Sequence, residues 1–189
     1  MQVLNSSKRY GAIAQSLHWT AVVLVLLAWT LGVLGDQFSE GAPRAVGLFI
    51  HTTAGLLIIL LTALRLLWRV LDPSPPAEKT EFGEWLFADW IGLGAKVAHF
   101  LLYCLMIAVP VAGIVLQFAR GDSLSIFGLV DVASPWAEDK AFAHSVKQIH
   151  ELLAHALLTV ASLHAAAALL HHWVFGDRTL IRMLPGSER

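Results

Sequence analysis

The sequence predicts an all-α fold, an integral membrane four-helix bundle, and three observations support this prediction. Of the 189 residues, 57% are hydrophobic and only 14% are charged, whereas soluble chains carry about 25% charged residues. Four long segments are nearly free of Asp, Glu, Lys and Arg, and none of them alternates apolar with polar residues as a strand does. A bilayer core of about 30 Å needs roughly 20 helical residues. We therefore predict spans at about 13–34, 46–70, 93–119 and 148–175, all within one domain, residues 1–189.

The distribution of basic residues predicts the orientation of these spans. The first span is too long for the apolar part of a signal peptide and no small-residue cleavage motif follows it, so we expect it to be retained. With four spans, both termini lie on the same side. That side carries nine basic residues against four on the other, and the positive-inside rule puts it in the cytoplasm. The nine are Lys8, Arg9, Arg65, Arg69, Lys79, Lys96, Arg178, Arg182 and Arg189; the four are Arg44, Arg120, Lys140 and Lys147.

Charge and cysteine content exclude several classes of function. The net charge is -1, with 13 basic and 14 acidic residues scattered along the chain, so no basic surface is expected for nucleic acid. The single cysteine, Cys104, lies in an apolar run and permits neither a disulfide framework nor a thiolate metal cluster. The longest polar connections are residues 72–90 and 121–149. Within the first, residues 81–90 place four large apolar side chains among acids and predict an interfacial helix: Phe82, Trp85, Leu86 and Trp90.

The nine histidines are the unusual feature, because imidazole is costly in hydrocarbon unless it has a partner. His18 lies near the cytoplasmic end of the first span, and His51 lies near the outer end of the second. On the fourth span, His150 lies at the outer end and His164 follows fourteen residues later. That separation is a rise of about 21 Å and returns the side chain to within about 40° of the same face. Matching depths pairs His51 with His150 outside and His18 with His164 inside.

Two facing histidines near each leaflet are the arrangement that holds two haems by bis-imidazole ligation. No Cys-x-x-Cys-His motif is present, so the haem would be b-type, held without thioether bonds. Small residues near the ligands allow close approach of a macrocycle: Gly47, Thr52, Thr53, Ala54, Gly55 and the alanines at 165–168. Any single intramembrane histidine is equally well explained as a hydrogen-bonded packing residue. Four histidines that pair at matched depths favour haem binding over simple packing.

The remaining histidines have other interpretations. His144 is expected in the outer loop, in solvent, and His155 is expected to face lipid headgroups or a neighbouring side chain rather than iron. His171 and His172 are adjacent, so their side chains point about 100° apart, and no third ligand completes a zinc site. His171 lies on nearly the same face as His164 and could reach a ligand below the inner haem or simply extend to the interface. His99 enters the third span at a similar depth.

Several sequence motifs resemble the bacterial cytochrome b561 family, and the similarity covers nearly the whole chain. In the first three spans they are Ser-Leu-His-Trp at 16–19, His51, the prolines at 73–76 and Arg-Gly at 120–121. The fourth span is the most specific part. It contains His-Glu at 150–151, Leu-His-Ala-Ala-Ala at 163–167, His-His at 171–172 and Asp-Arg-Thr-Leu-Ile-Arg-Met-Leu-Pro at 177–185.

This resemblance implies a multi-pass cytochrome of the bacterial inner membrane with two b haems. The haem iron ligands would be the residues that match the family: His18, His51, His150 and His164. The family also implies electron transport with a quinone, and it includes superoxide oxidases, which pass electrons from superoxide outside to ubiquinone. The resemblance therefore implies an oxidoreductase, a quinone-linked enzyme similar to superoxide oxidase. For the quinone we expect an inner-leaflet site near His171, with Ser16 and His99 as further contacts.

The charge of the outer loops bears on the donor. Six acids and four bases lie there, a net of -2 that does not attract superoxide. Arg120, Lys140 or Lys147 could attract it locally if they lie beside the outer haem. An alternative function is a non-catalytic electron-transfer subunit that docks a periplasmic dehydrogenase or c-type cytochrome, for which acidic loops would suit a basic partner. A third class, a histidine-lined proton or metal transporter, predicts a protein without haem.

Overall fold

Four long helices form the protein. The computed structural model describes residues 2–76 and 88–186, and in this part of the chain the helices are α1 (Ala12–Leu34), α2 (Ala42–Leu71), α3 (Ala88–Ala119) and α4 (Lys140–Trp173). Short 3-10 turns occupy Gly35–Gln37 and Ile181–Met183. All four helices are long and apolar enough to cross a membrane. The predicted all-α membrane fold is therefore confirmed, whereas most of the predicted interfacial helix at 81–90 lies outside the described residues.

Three of the helices begin earlier than the apolar runs that predicted them. α2 begins at Ala42, α3 at Ala88 and α4 at Lys140, because charged residues end a hydrophobic run without ending a helix. At α4 the cause is local. Asp139 caps the helix, since its Oδ1 accepts a hydrogen bond of 3.0 Å from the Phe142 N–H. His144, expected in the outer loop, therefore lies on the first turns of α4, where it is exposed and bonded to Gln148 at 3.2 Å.

The outward-facing side chains of the helices are large and apolar. Val23 is 62% exposed, Leu152 is 70% exposed and Leu163 is 65% exposed. The buried side chains include the small residues Ala21, Ala54, Ala119 and Thr62 as well as larger apolar ones such as Ile58 and Leu157. Large apolar residues on the outside are typical of helices that face lipid tails, and small residues inside allow helices to pack closely.

The connection between α3 and α4 contains a short hairpin that the sequence interpretation missed. Strand β1 (Leu124–Ile126) pairs with β2 (Val130–Val132) in antiparallel register, with Leu124 opposite Val132. The turn uses positive φ values at Phe127 (55°) and Gly128 (71°). Glycine adopts this conformation at little cost, and two short alternating segments around Phe-Gly-Leu were the available signal.

The described residues divide into two compact units, each of which contains part of every long helix. The first unit contains residues of Met1–Thr20, Ala63–Tyr103 and Thr159–Arg189, and the second contains Ala21–Thr62 and Cys104–Leu158. The first unit holds His18, His99, His164 and His171. The second holds His51, His150 and His155.

In the first unit the segments that flank the helices are joined by one buried arginine. Arg182 is 6% exposed. Its Nε donates to the Lys8 carbonyl at 3.1 Å and its Nη1 donates to the Pro76 carbonyl at 2.9 Å. The carbonyl of Arg182 accepts from the buried Gln15 amide at 3.3 Å. Arg182 therefore ties together the N-terminal segment, the chain after α2 and the C-terminal turn.

Candidate functional site

In the second unit, His51 of α2 and His150 of α4 face each other, as their depths predicted. Their ring centroids are 6.1 Å apart and the rings are nearly perpendicular, at 76°. The Nδ1–H of His51 donates to the Ala28 carbonyl of α1 at 2.8 Å, and that of His150 donates to the Val109 carbonyl of α3 at 3.0 Å. A carbonyl can only accept, so each bond puts the proton on Nδ1 and leaves the Nε2 lone pair for a metal.

Two glycines make room for these imidazoles. A Cβ at Gly32 would lie 3.2 Å from Cε1 of His51, and a Cβ at Gly113 would lie 3.2 Å from Cε1 of His150. Each glycine stands four residues after the residue whose carbonyl accepts the Nδ1–H bond. The same arrangement, a carbonyl at one position and a glycine one helical turn later, therefore holds both rings. From the sequence, Gly113 was expected only at a bend of the third span, with Pro110, and neither Gly113 nor Gly32 was associated with a histidine.

A cavity of about 550 Å³ adjoins the pair, which is within the size range of cofactor sites. Its apolar lining includes Leu48, Gly55 and Leu157, and His51 and His150 are part of the wall. Three cations and one carboxylate also line it: Arg44, Arg120, Lys147 and Glu151. Lys140, the other candidate for attracting an anion, instead lies 3.8 Å from Glu138 with 88% of its side chain exposed.

His155 also lines this cavity. Its Nδ1 accepts a hydrogen bond of 3.4 Å from Nε1 of Trp29, and the two ring centroids are 6.2 Å apart. The prediction that His155 contacts a neighbouring side chain named no partner, and the structure identifies Trp29. Trp29 was not singled out from the sequence, because an indole in an apolar span has no distinctive pattern.

In the first unit, His18 of α1 and His164 of α4 also face each other, with ring centroids 6.5 Å apart at 65°. Nδ1 of His18 is buried and has no hydrogen-bond partner among the described residues. A buried imidazole nitrogen without a partner is costly, and coordination by a metal would remove that cost.

His99 stands closer to His164 than His18 does, at 5.1 Å between ring centroids. Two imidazoles that bind one metal from opposite sides have centroids about 6.3 Å apart, from metal–nitrogen bonds of about 2.0–2.1 Å and about 1.1 Å from nitrogen to ring centroid. The separations of His51–His150 and His18–His164 fit this value. The separation of His99–His164 is too short for it.

The three predicted quinone contacts have separate neighbours. His171, in the last turn of α4, bonds through Nδ1 to the carboxylate of Asp177 and packs edge-on against Phe175, with ring centroids 5.2 Å apart. His99 contacts His164. Ser16 is exposed on α1, two residues before His18.

Comparison with known sequences identifies the family of the chain. The profile of the family described as prokaryotic cytochrome b561 matches residues 9–186. The chain belongs to the prokaryotic cytochrome b561 family. It is 36% identical to a probable superoxide oxidase CybB of Yersinia pestis over 183 residues, covering 94% of this chain and 97% of that protein. It is also 30% identical to cytochrome b561 homolog 2 of Escherichia coli (strain K12), over 100% of this chain and 97% of that protein.

Membership of the cytochrome b561 family implies b-type haem and electron transfer, and the residues of this b561 chain fit such a cofactor. The His51–His150 pair has the spacing, the free Nε2 atoms and a cavity of cofactor size. The His18–His164 pair has the spacing and a buried nitrogen without a protein partner among the described residues. The side chains present can therefore hold haem b at either pair.

Proposed function

We propose that this cytochrome b561 is a diheme membrane oxidoreductase that passes electrons from superoxide on the outer side to ubiquinone on the cytoplasmic side. The observation that carries the proposal is the outer pair. His51 and His150 stand 6.1 Å apart, and each is oriented by a backbone carbonyl beside a cavity of about 550 Å³. A histidine that serves only for packing does not need its Nδ1–H bonded to a carbonyl so that the Nε2 lone pair is left for a metal.

The four histidines would hold the haems, His51 with His150 and His18 with His164. Haem b held by each pair would supply reversible one-electron chemistry at its iron. The chain contributes the ligands, their tautomers and an apolar surrounding that keeps water from the metal. α4 would supply one ligand to each pair.

The charges that line the outer cavity support an anionic donor. The net charge of -2 on the outer loops does not attract an anion such as superoxide. The cavity itself, however, is lined by three cations, Arg44, Arg120 and Lys147, and by only one carboxylate, Glu151. Lys147 and Glu151 also lie 3.5 Å apart as an ion pair. Fields focused in a low-dielectric cleft outweigh distant loop charges. The name of the Yersinia relative, probable superoxide oxidase, agrees with this donor.

The acceptor would bind near His171, with Ser16 and His99 as further polar contacts. Exposed apolar side chains at Leu170 and Val174 border this end of α4, which suits a ligand that arrives from lipid. The termini would lie in the cytoplasm and the protein in the bacterial inner membrane, because the basic residues concentrate on the side of the termini.

Stopped-flow reduction tests the proposal. Purified oxidised protein is mixed with superoxide while the α-band of haem b is followed, and ubiquinol formation is then measured with added ubiquinone. We expect fast reduction whose rate falls with ionic strength. Lys147→Gln or Arg120→Gln should slow it by about tenfold, whereas the control Lys140→Gln, which alters a cation paired with Glu138, should leave the rate unchanged.

Other results of the same experiment would overturn parts of the proposal. Reduction by a c-type cytochrome or a dehydrogenase, and not by superoxide, would identify an electron-transfer subunit instead. A purified protein that contains no haem would overturn the proposal that the histidine pairs bind haem, and would favour a histidine-lined transporter.

A further inference from the structure

We propose that Asp177 positions His171 as the group that delivers a proton to the quinone. This inference rests on the proposed function, because it assigns a role at the predicted quinone site. It starts from the Asp-Arg-Thr motif that follows α4, which haem ligation leaves unexplained.

The motif folds back onto the end of α4. Gly176 has a φ of 65°, a conformation that glycine adopts readily, and reverses the chain. The Asp177 N–H then donates to the His171 carbonyl at 3.1 Å. The Asp177 carboxylate accepts from Nδ1 of His171 through Oδ2 and from the Thr179 N–H at 2.9 Å through Oδ1. Only 6% of the Asp177 side chain is exposed, against 21% of His171.

These contacts define the protonation of the pair. Burial by itself would raise the pKa of Asp177, but hydrogen bonds from His171 and Thr179 outweigh it, so the pKa lies below the ordinary value of 3.8. The carboxylate is therefore ionised and the Nδ1 proton of His171 points at it. Nε2 is the remaining ring nitrogen, which can take up a proton and release it.

Two features place negative charge beside the ring. The Asp177 carboxylate lies opposite Nδ1, and His171 stands in the last turn of α4, where the partial negative charge of the helix terminus favours a cation. An imidazole oriented by a carboxylate is a common arrangement in general acid–base catalysis, since the second nitrogen is held in one direction. Phe175 packs edge-on against the ring and restricts it further.

The proton balance of quinone reduction needs such a group. A quinone that takes two electrons from the reduced cytochrome must also take two protons to become a quinol. Protonated His171 gives one of them from Nε2 to a carbonyl oxygen of the quinone and recovers it from cytoplasmic water, and solvent supplies the other. Asp177 touches neither quinone nor haem, so it is a positioning residue.

Single-turnover kinetics on the full-length haem-loaded protein test this inference without any assumption about the donor. The protein is reduced with stoichiometric dithionite under anaerobic conditions and mixed with increasing decylubiquinone, while reoxidation of haem b is followed. Asp177→Asn keeps an acceptor for Nδ1 but removes the charge. We expect the limiting rate at saturating quinone to fall by at least about tenfold, with half-saturation little changed and a larger solvent deuterium isotope effect.

Two variants separate positioning from folding. Asp177→Glu restores the carboxylate and should recover part of the limiting rate. His172→Gln changes the neighbouring imidazole, which contacts Trp173, and should behave as wild type. Haem content should be normal in all three.

The two failures are distinguishable. An Asp177→Asn protein that reoxidises at the wild-type rate, with the wild-type isotope effect, would overturn the inference alone. A wild-type protein that binds haem and accepts electrons but does not reduce decylubiquinone would overturn the proposed function.

Discussion

Replacing Gly113 by alanine should damage the outer haem site specifically. The new Cβ would lie 3.2 Å from Cε1 and 3.5 Å from Nδ1 of His150, while the optimum separation of two carbon atoms is about 3.5–4.0 Å. The ring must therefore retreat by several tenths of an ångström. Its Nδ1–H bond to the Val109 carbonyl at 3.0 Å holds it in place, so the retreat disturbs both that bond and ligation.

The magnitude follows from the cost of overpacking. Inserting a methyl group into a packed site costs about 1–3 kcal/mol, which corresponds to about 5- to 150-fold weaker haem binding. The helix itself should gain about 0.5–1 kcal/mol from the same change. A Cβ at Gly92, on the same helix, would have nothing within 4 Å. Gly92→Ala is therefore the matched control, and it should stabilise the helix without weakening haem binding.

The assay is haem content per chain by pyridine haemochrome after gel filtration, combined with a spectroscopic redox titration. Gly113→Ala should lose part of one b haem or shift the midpoint potential of one, and leave the other as in the wild type. Equal haem content and equal potentials in Gly113→Ala and Gly92→Ala would refute the reasoning that this glycine makes room for a ligand.

Three further predictions concern the ligand pairs and the C-terminal segment. His51→Ala should remove one b haem and His18→Ala the other, each leaving the remaining haem reducible; loss of both haems from either variant would contradict the pairing. Arg182→Ala should lower the free energy of unfolding by about 3 kcal/mol, because two charged hydrogen bonds to carbonyls are lost, while the exposed Arg178→Ala should not; thermal unfolding in detergent compares them. Asp177 stabilises the fold when ionised, since its pKa is lowered in the folded state. This contribution is present above the unfolded pKa of 3.8 and is lost as pH falls through the folded pKa. The free energy of unfolding, measured from pH 6 downwards, should therefore fall more steeply for wild type than for Asp177→Asn. An equal pH dependence in the two proteins would contradict this stabilisation by Asp177.

The histidine pairs show how far depth alone predicts contact. His51 with His150, and His18 with His164, were paired from their positions along the spans, and both pairs are in contact. His99 shows the limit of that argument. It has a similar depth to His18 and lies still closer to His164, so only a measured separation distinguishes the two as possible partners on one metal.

The ends of the elements show a second limit. α4 begins at Lys140 because Asp139 caps it, whereas the apolar run begins several residues later. The hairpin of β1 and β2 lies in a connection that hydropathy describes only as polar. Hydropathy reports where lipid is, and helices and strands continue past that boundary wherever their backbone bonds can.

The amino-acid sequence by itself determined the number of spans, the position of each histidine along its span and the family, because these depend on residue type and spacing along one helix. Only the tertiary structure decided which carbonyl receives each Nδ1–H, that Gly32 and Gly113 make room for the rings, that three cations line the outer cavity and that Asp177 binds His171. Each of these depends on how one helix is rotated against another or how a chain turns back after its helix ends. Many local sequences are compatible with the same rotation or turn, so the pattern of residues along one segment does not specify it.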